Sequence, residues 1–167
     1  MKRWLLALVL LGMSGCQLYL PSSVPSMKAS ASVPVEQLQA GVLAEVNRMR
    51  VKHGAAALAE DPAMTRVAQQ YSAELARRGE LEHTSKTPGR ETVGQRMKEG
   101  KVAFSIAGEN LVKVRASAEA VPDKSVELWR ASTGHNRNML DARYRRTGVG
   151  VTLGPDNFWY IVQVFAS

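Results

Sequence analysis

The chain has 167 residues, 45% of them hydrophobic, and carries 22 Lys and Arg against 15 Asp and Glu, a formal net charge of +7. That length suits one domain, and that apolar share excludes a disordered polyelectrolyte. The single cysteine, Cys16, excludes an intrachain disulfide, and without interleaved aromatic and basic residues the positive charge does not point to nucleic acid.

The chain opens "MKRWLLALVLLGMSGCQ". Lys2 and Arg3 form a basic start, residues 4–11 an apolar run, and Ser14 and Gly15 a small-residue site before Cys16. The run is too short to span a bilayer, which takes ~20 residues. Residues 1–15 therefore read as a secretory signal. "MSGC" resembles the lipobox of bacterial lipoproteins, with Met13 where leucine is usual. The resemblance implies that Cys16 becomes a lipidated N-terminus, a palmitate-type membrane anchor. Gln17, in place of the aspartate that retains many lipoproteins at the inner membrane, favours the outer membrane. Residues 16–34, rich in Ser, Pro and Ala, read as the anchor and a flexible tether. Loss of Lys2 and Arg3 with the signal lowers the formal charge from +7 to +5. A basic domain on a membrane attracts anionic lipid or cell-wall polymer.

Residues 35–167 read as one domain. Val35, Leu38, Val42, Val46 and Met49 recur at helical spacing and stop before Gly54, with Arg48, Arg50 and Lys52 on the wet side. The second helix has Asp61 as N-cap, Pro62 in its first turn and Gly79 at its end. Met64, Val67, Ala68, Tyr71 and Leu75 form its buried face. A polar stretch with a turn at Pro88 and Gly89 leads to a short helix over 93–98. "KVAFSIAGENLVKV" reads as a strand or extended segment interrupted at Gly108. A helix beginning at Pro122 buries Val126 and Trp129. "RRTGVGVTL", the turn "GPDN" and "FWYIVQVFAS" form a β-hairpin, with Val149, Val151 and Leu153 facing Trp159, Ile161 or Val162, and Phe165. Helices first and strands last, without βαβ alternation, predict an α+β layered fold.

Three histidines stand out: His53, His83 and His135. His53, ending the first helix, reads as a solvated last-turn residue favoured by the helix dipole. Glu109 lies in an apolar run, where a carboxylate is costly to bury without a partner, and an imidazole or a metal would serve as one. His135 lies in "STGHNRNML", where a cleft role and a helix-start role are equally open from the residues alone.

"LEHTS", "AGENL", "VELWRASTGHNRNML" and "TGVGVTLGPDNFWYIVQVFA", in this order, resemble the bacterial branch of the CAP superfamily, also called the SCP domain. The resemblance spans residues 38–165. It implies a three-layer α–β–α sandwich with a surface cleft floored by two histidines and acidic residues. Its histidines match His83 and His135, and its "GEN" glutamate matches Glu109. A second glutamate, usual in eukaryotic members three residues after the tryptophan, is Ser132 here, as in many bacterial members; Glu127 does not match it. On this reading Ser132 and His135 face the cleft, Met139 and Leu140 enter the core, and Asn136, Arg137 and Asn138 orient the turn by hydrogen bonds to backbone.

The resemblance implies a membrane-tethered binding module rather than an enzyme, taking a lipid, peptide or cell-wall fragment. His83, Glu109 and His135 are the metal candidates, for zinc or another divalent cation. The alternative is a metal-dependent or serine-assisted hydrolase of peptides or esters, using the same residues with Ser132 as nucleophile.

Overall fold

A computed structural model describes residues 33–167. The signal, Cys16 and the tether up to residue 32 lie outside the described residues. Among the described residues no helix is long and apolar enough to cross a membrane.

Among the described residues five α-helices and four strands follow one another: α1 (Val35–Lys52), β1 (Ala59–Glu60), α2 (Pro62–Arg78), α3 (Val93–Glu99), β2 (Ala107–Val114), α4 (Val121–Ala131), α5 (Thr133–Leu140), β3 (Arg146–Leu153) and β4 (Trp159–Ala166). The strands form one sheet in the order β1-β3-β4-β2. β1 runs parallel to β3, and the other pairings are antiparallel. The sheet packs α1 and α4 on one face and α2 on the other, each over its own apolar cluster. This is the expected α+β, three-layer α–β–α sandwich.

Local chemistry accounts for α2. The Asp61 side chain accepts from the amides of Ala63 and Met64, Pro62 occupies the first turn, and Gly79 closes the helix at φ 69°. The five expected apolar residues are buried. Opposite them the sheet presents Gly148 and Gly150. A Cβ on either would overlap the α2 backbone, at Met64 and Thr65 or at Ala68 and Gln69. The alternating glycines of "TGVGV" therefore let helix and sheet approach backbone to backbone.

The hairpin register pairs Leu153 with Trp159, Val151 with Ile161 and Thr147 with Phe165. Val149 faces Gln163, a fully buried polar side chain whose amide nitrogen donates to Thr147 Oγ1 at 3.1 Å.

Three expectations need correction. Gly108 does not interrupt β2: it pairs with Phe165 inside an unbroken ladder, and glycine is needed because a Cβ would strike the Tyr144 hydroxyl. Residues 133–140 form a helix, not a turn. Arg50 is fully buried rather than wet. Its guanidinium leaves α1 to donate to the carbonyls of Ala56 (2.7 Å), Met139 (2.6 Å), Asp141 (3.1 Å) and Tyr144 (3.3 Å).

Side chains also occupy the outward-facing backbone groups of the sheet. Gln69 of α2 donates to the carbonyl of Val151 (3.1 Å) and accepts from its amide (2.9 Å). On β2 the Trp129 indole donates to the Leu111 carbonyl (3.0 Å), and the Asn138 amide to the Glu109 carbonyl (3.2 Å).

Candidate functional site

Glu109 is the floor of the site. It sits on β2 with a side chain only 3% exposed. Burying a carboxylate requires partners, and it has two. His83 Nδ1 lies 2.9 Å from Oε1, and Arg96 Nη2 donates to Oε2 at 2.6 Å. The expected imidazole is there, but the guanidinium was missed. Arg96 is fully buried on a seven-residue helix without a long apolar stripe, so periodicity gave no signal for it.

The loop carrying His83 is pinned from beneath. The Tyr71 hydroxyl donates to the carbonyl of Glu82. Glu74, buried on α2, accepts from Ser85 Oγ at 2.7 and 2.8 Å and from the amide of Lys86 at 3.2 Å. Burial alone would raise the Glu74 carboxyl, but the bonds from Ser85, Lys86 and Arg78 outweigh it and hold it below the ordinary carboxylate range. Burial pushes the Tyr71 phenol up to about 12, so it remains a donor. The His83 side chain is 59% exposed above this support. A carboxylate can only accept, so Nδ1 carries the proton and Nε2 is not engaged by Glu109.

His135 arrives on α5. Buried Asn110 of β2 donates to the His135 carbonyl at 3.0 Å and accepts from Asn138 Nδ2 at 2.9 Å. Asn138 thus has the orienting role expected of it, and Met139 is buried while Leu140 packs partly buried against the same cluster. The His135 ring is half-buried; burial lowers its pKa, and the charge of nearby His83 lowers it further. We expect His135 to titrate below 6.5 in a ring-proton NMR series. Because the folded state resists the proton, this group stabilises the fold above the unfolded value, and that contribution is lost as pH falls through the folded one. A midpoint at or above 6.5 would contradict this placement.

Ser132 joins α4 to α5 and is half-buried. Its carbonyl accepts from the Asn136 amide at 2.8 Å. Among the described residues its hydroxyl makes no hydrogen bond to His135 and does not cap α5. Among the described residues no three His, Cys, Asp or Glu side chains are grouped to hold an ion. Both Glu109 oxygens are already engaged, one by a permanent cation. His53 lies at the end of α1 with Nδ1 2.8 Å from the Met49 carbonyl, the last-turn role expected of it.

A concavity of about 550 Å³ lies between α1 and α4, lined by charged residues including Arg48, Lys52, Asp123 and Arg130. It does not include His83 or His135.

Comparison with known proteins agrees with this architecture. The family model described as CAP, cysteine-rich secretory protein family, matches residues 43–165. Two Bacillus subtilis proteins are similar in sequence. The uncharacterized membrane protein YlbC is 36% identical over 110 residues, covering 66% of this chain and 30% of that protein. The uncharacterized protein YkwD is 26% identical over 132 residues, covering 78% and 49%. The chain thus spans less than half the length of either. Among solved structures, an extracellular SCP-domain protein from Bacillus anthracis is 28% identical with a TM-score of 0.63, covering 78% of this chain and 40% of that one. An outer surface protein from Borrelia burgdorferi is 20% identical with a TM-score of 0.70, covering 81% and 96%, a likeness of fold alone.

Proposed function

From the premise that this chain belongs to the CAP, cysteine-rich secretory protein, family, we propose that it is a ligand-binding module of the bacterial cell envelope. Cys16 carries the lipid that tethers it to the membrane, preferentially the outer one. Its cleft, formed by His83, Glu109 and His135 with Ser132 at the rim, takes a lipid, peptide or cell-wall fragment. Relatives described as extracellular, outer-surface and membrane proteins support the envelope location.

The observation that carries the binding role is the His83–Glu109 pair. An exposed imidazole fixed by a buried carboxylate 2.9 Å away is pre-organised for recognition, because little conformational freedom is left to lose. The same pair favours the second reading, a hydrolase with His83 as general base. The unengaged Ser132 hydroxyl counts against a serine-assisted version of it.

The test incubates the purified domain with a lipid extract and, separately, with a muropeptide digest, and reads retained ligands by native mass spectrometry. Wild type should retain one class, and His83→Ala should retain at least ~10-fold less, about 1.4 kcal/mol in binding. Equal retention by the variant would remove the cleft from the binding role. Turnover of p-nitrophenyl acetate that disappears in His83→Ala would favour the hydrolase. Cys16→Ser, expressed in a bacterium, should leave the membrane fraction.

A further inference from the structure

We propose that Arg96 is the resident cation of this cleft and the residue that bars a divalent metal from it. This deepens the ligand-cleft reading by defining the ligand class: a hydrogen-bonding organic molecule that addresses imidazole, not a metal ion or a molecule bound through one.

Four observations carry the inference. The Arg96 side chain is fully buried, and its Nη2 donates to Glu109 Oε2 at 2.6 Å. A guanidinium keeps its charge at any physiological pH, so the positive charge behind Glu109 is permanent. Arg96 cannot easily swing away. Its Nη1 donates to the carbonyls of Arg90 and Glu91 at 3.0 Å each, and its plane lies 3.6 Å from the centre of the Tyr71 ring. Its helix is fixed by a reciprocal cap between Thr92 and Gln95. The other Glu109 oxygen is held by His83 Nδ1, so the carboxylate can enter a coordination shell only by giving up a partner.

A carboxylate behind an imidazole also occurs behind zinc-bound histidines, with the far ring nitrogen as ligand. Here that arrangement would offer a metal only His83 and His135, half of a tetrahedral shell, beside a fixed positive charge. Ser132 is a poor replacement for the missing carboxylate. What the Arg96–Glu109–His83 chain does instead is orient His83 Nε2 outward as a hydrogen-bond acceptor.

The experiment titrates the folded domain with zinc chloride at neutral pH, following calorimetric heat and the nitrogen shifts of the histidine rings. Wild type should show no saturable site up to ~1 mM zinc and no shift at His83 or His135. Arg96→Gln removes the charge and frees Oε2; zinc should then bind at least ~10-fold more tightly, with His83 shifting. Arg96→Lys keeps a charge and should remain blind to zinc. Saturable micromolar binding by wild type that is lost in His83→Ala would overturn the proposal. So would a folded Arg96→Gln as blind as wild type, or zinc uptake by Arg96→Lys. Should Arg96→Gln not fold, the wild-type and lysine titrations still decide. None of these outcomes depends on which organic ligand the cleft takes, so failure here is distinct from failure of the binding reading.

Discussion

Trp129→Ala will lower the unfolding free energy by ~3–5 kcal/mol, the range for deleting a large buried aromatic side chain. Trp129 is fully buried in the cluster shared by α1, α4 and one sheet face. The loss has two parts. The ring leaves a cavity among residues held by the rest of the fold, and the Leu111 carbonyl loses its 3.0 Å donor. Trp129→Phe separates them: it keeps most of the packing and should cost about 1–3 kcal/mol. Urea denaturation followed by circular dichroism reads both. A midpoint unchanged in the alanine variant would mean that the indole does not hold α4 to the sheet.

Arg50→Met should be about as damaging, ~3–5 kcal/mol, by a different route. Methionine fills the space of the stem but takes a charged donor from four carbonyl oxygens, leaving Asp141 only the Tyr144 amide, Tyr144 only Arg145 Nη1, and Ala56 and Met139 without the guanidinium. Burial already lowers the pKa of Arg50, and the nearby Arg145 charge adds to that, so the fold bears a cost to keep a cation there. Those carbonyls lie in the segments flanking the end of α1 and the passage from α5 to β3. Hydrogen exchange should therefore rise over residues 139–145 before it rises in α2. Lysine should not rescue, because a single ammonium cannot reach carbonyls on two sides. Wild-type exchange in that segment would refute the role.

Where the chain controls its own local structure, the sequence was readable. α2 is legible from Asp61, Pro62, five spaced apolar residues and Gly79, all in the places that capping and periodicity demand. The hairpin is legible from alternation around "GPDN". β1, at two residues, is too short to carry a pattern; it exists because β3 offers it partners. α5 has no broad apolar stripe and is held by bonds from Asn110 and Asn138 to and from residues more than twenty positions away. Arg50 did leave a trace. Leu38, Val42 and Val46 step by four, and the next step lands on residue 50, so the stripe itself points that side chain inward. Charge suggested water, but geometry prevailed because the carbonyls were waiting. For the site, a buried Glu109 signalled the need for a partner, while the choice of His83 and His135 rested on motif resemblance. Nothing local announced Arg96, whose value lies in a contact made 13 residues along the chain.

The side chains laid along the sheet also bear on how copies of the protein meet. A strand with free amides and carbonyls can recruit a neighbour's strand and begin a polymer. Here Gln69 blocks that docking at Val151, and Trp129 and Asn138 block it at Leu111 and Glu109. Two molecules held close must first peel α2 from one edge, or α4 or α5 from the other, before their sheets can merge. Colloidal behaviour is thus tied to the seating of one indole and two amides, and a variant that loosens them should precipitate on mild heating while most of its helices are still formed.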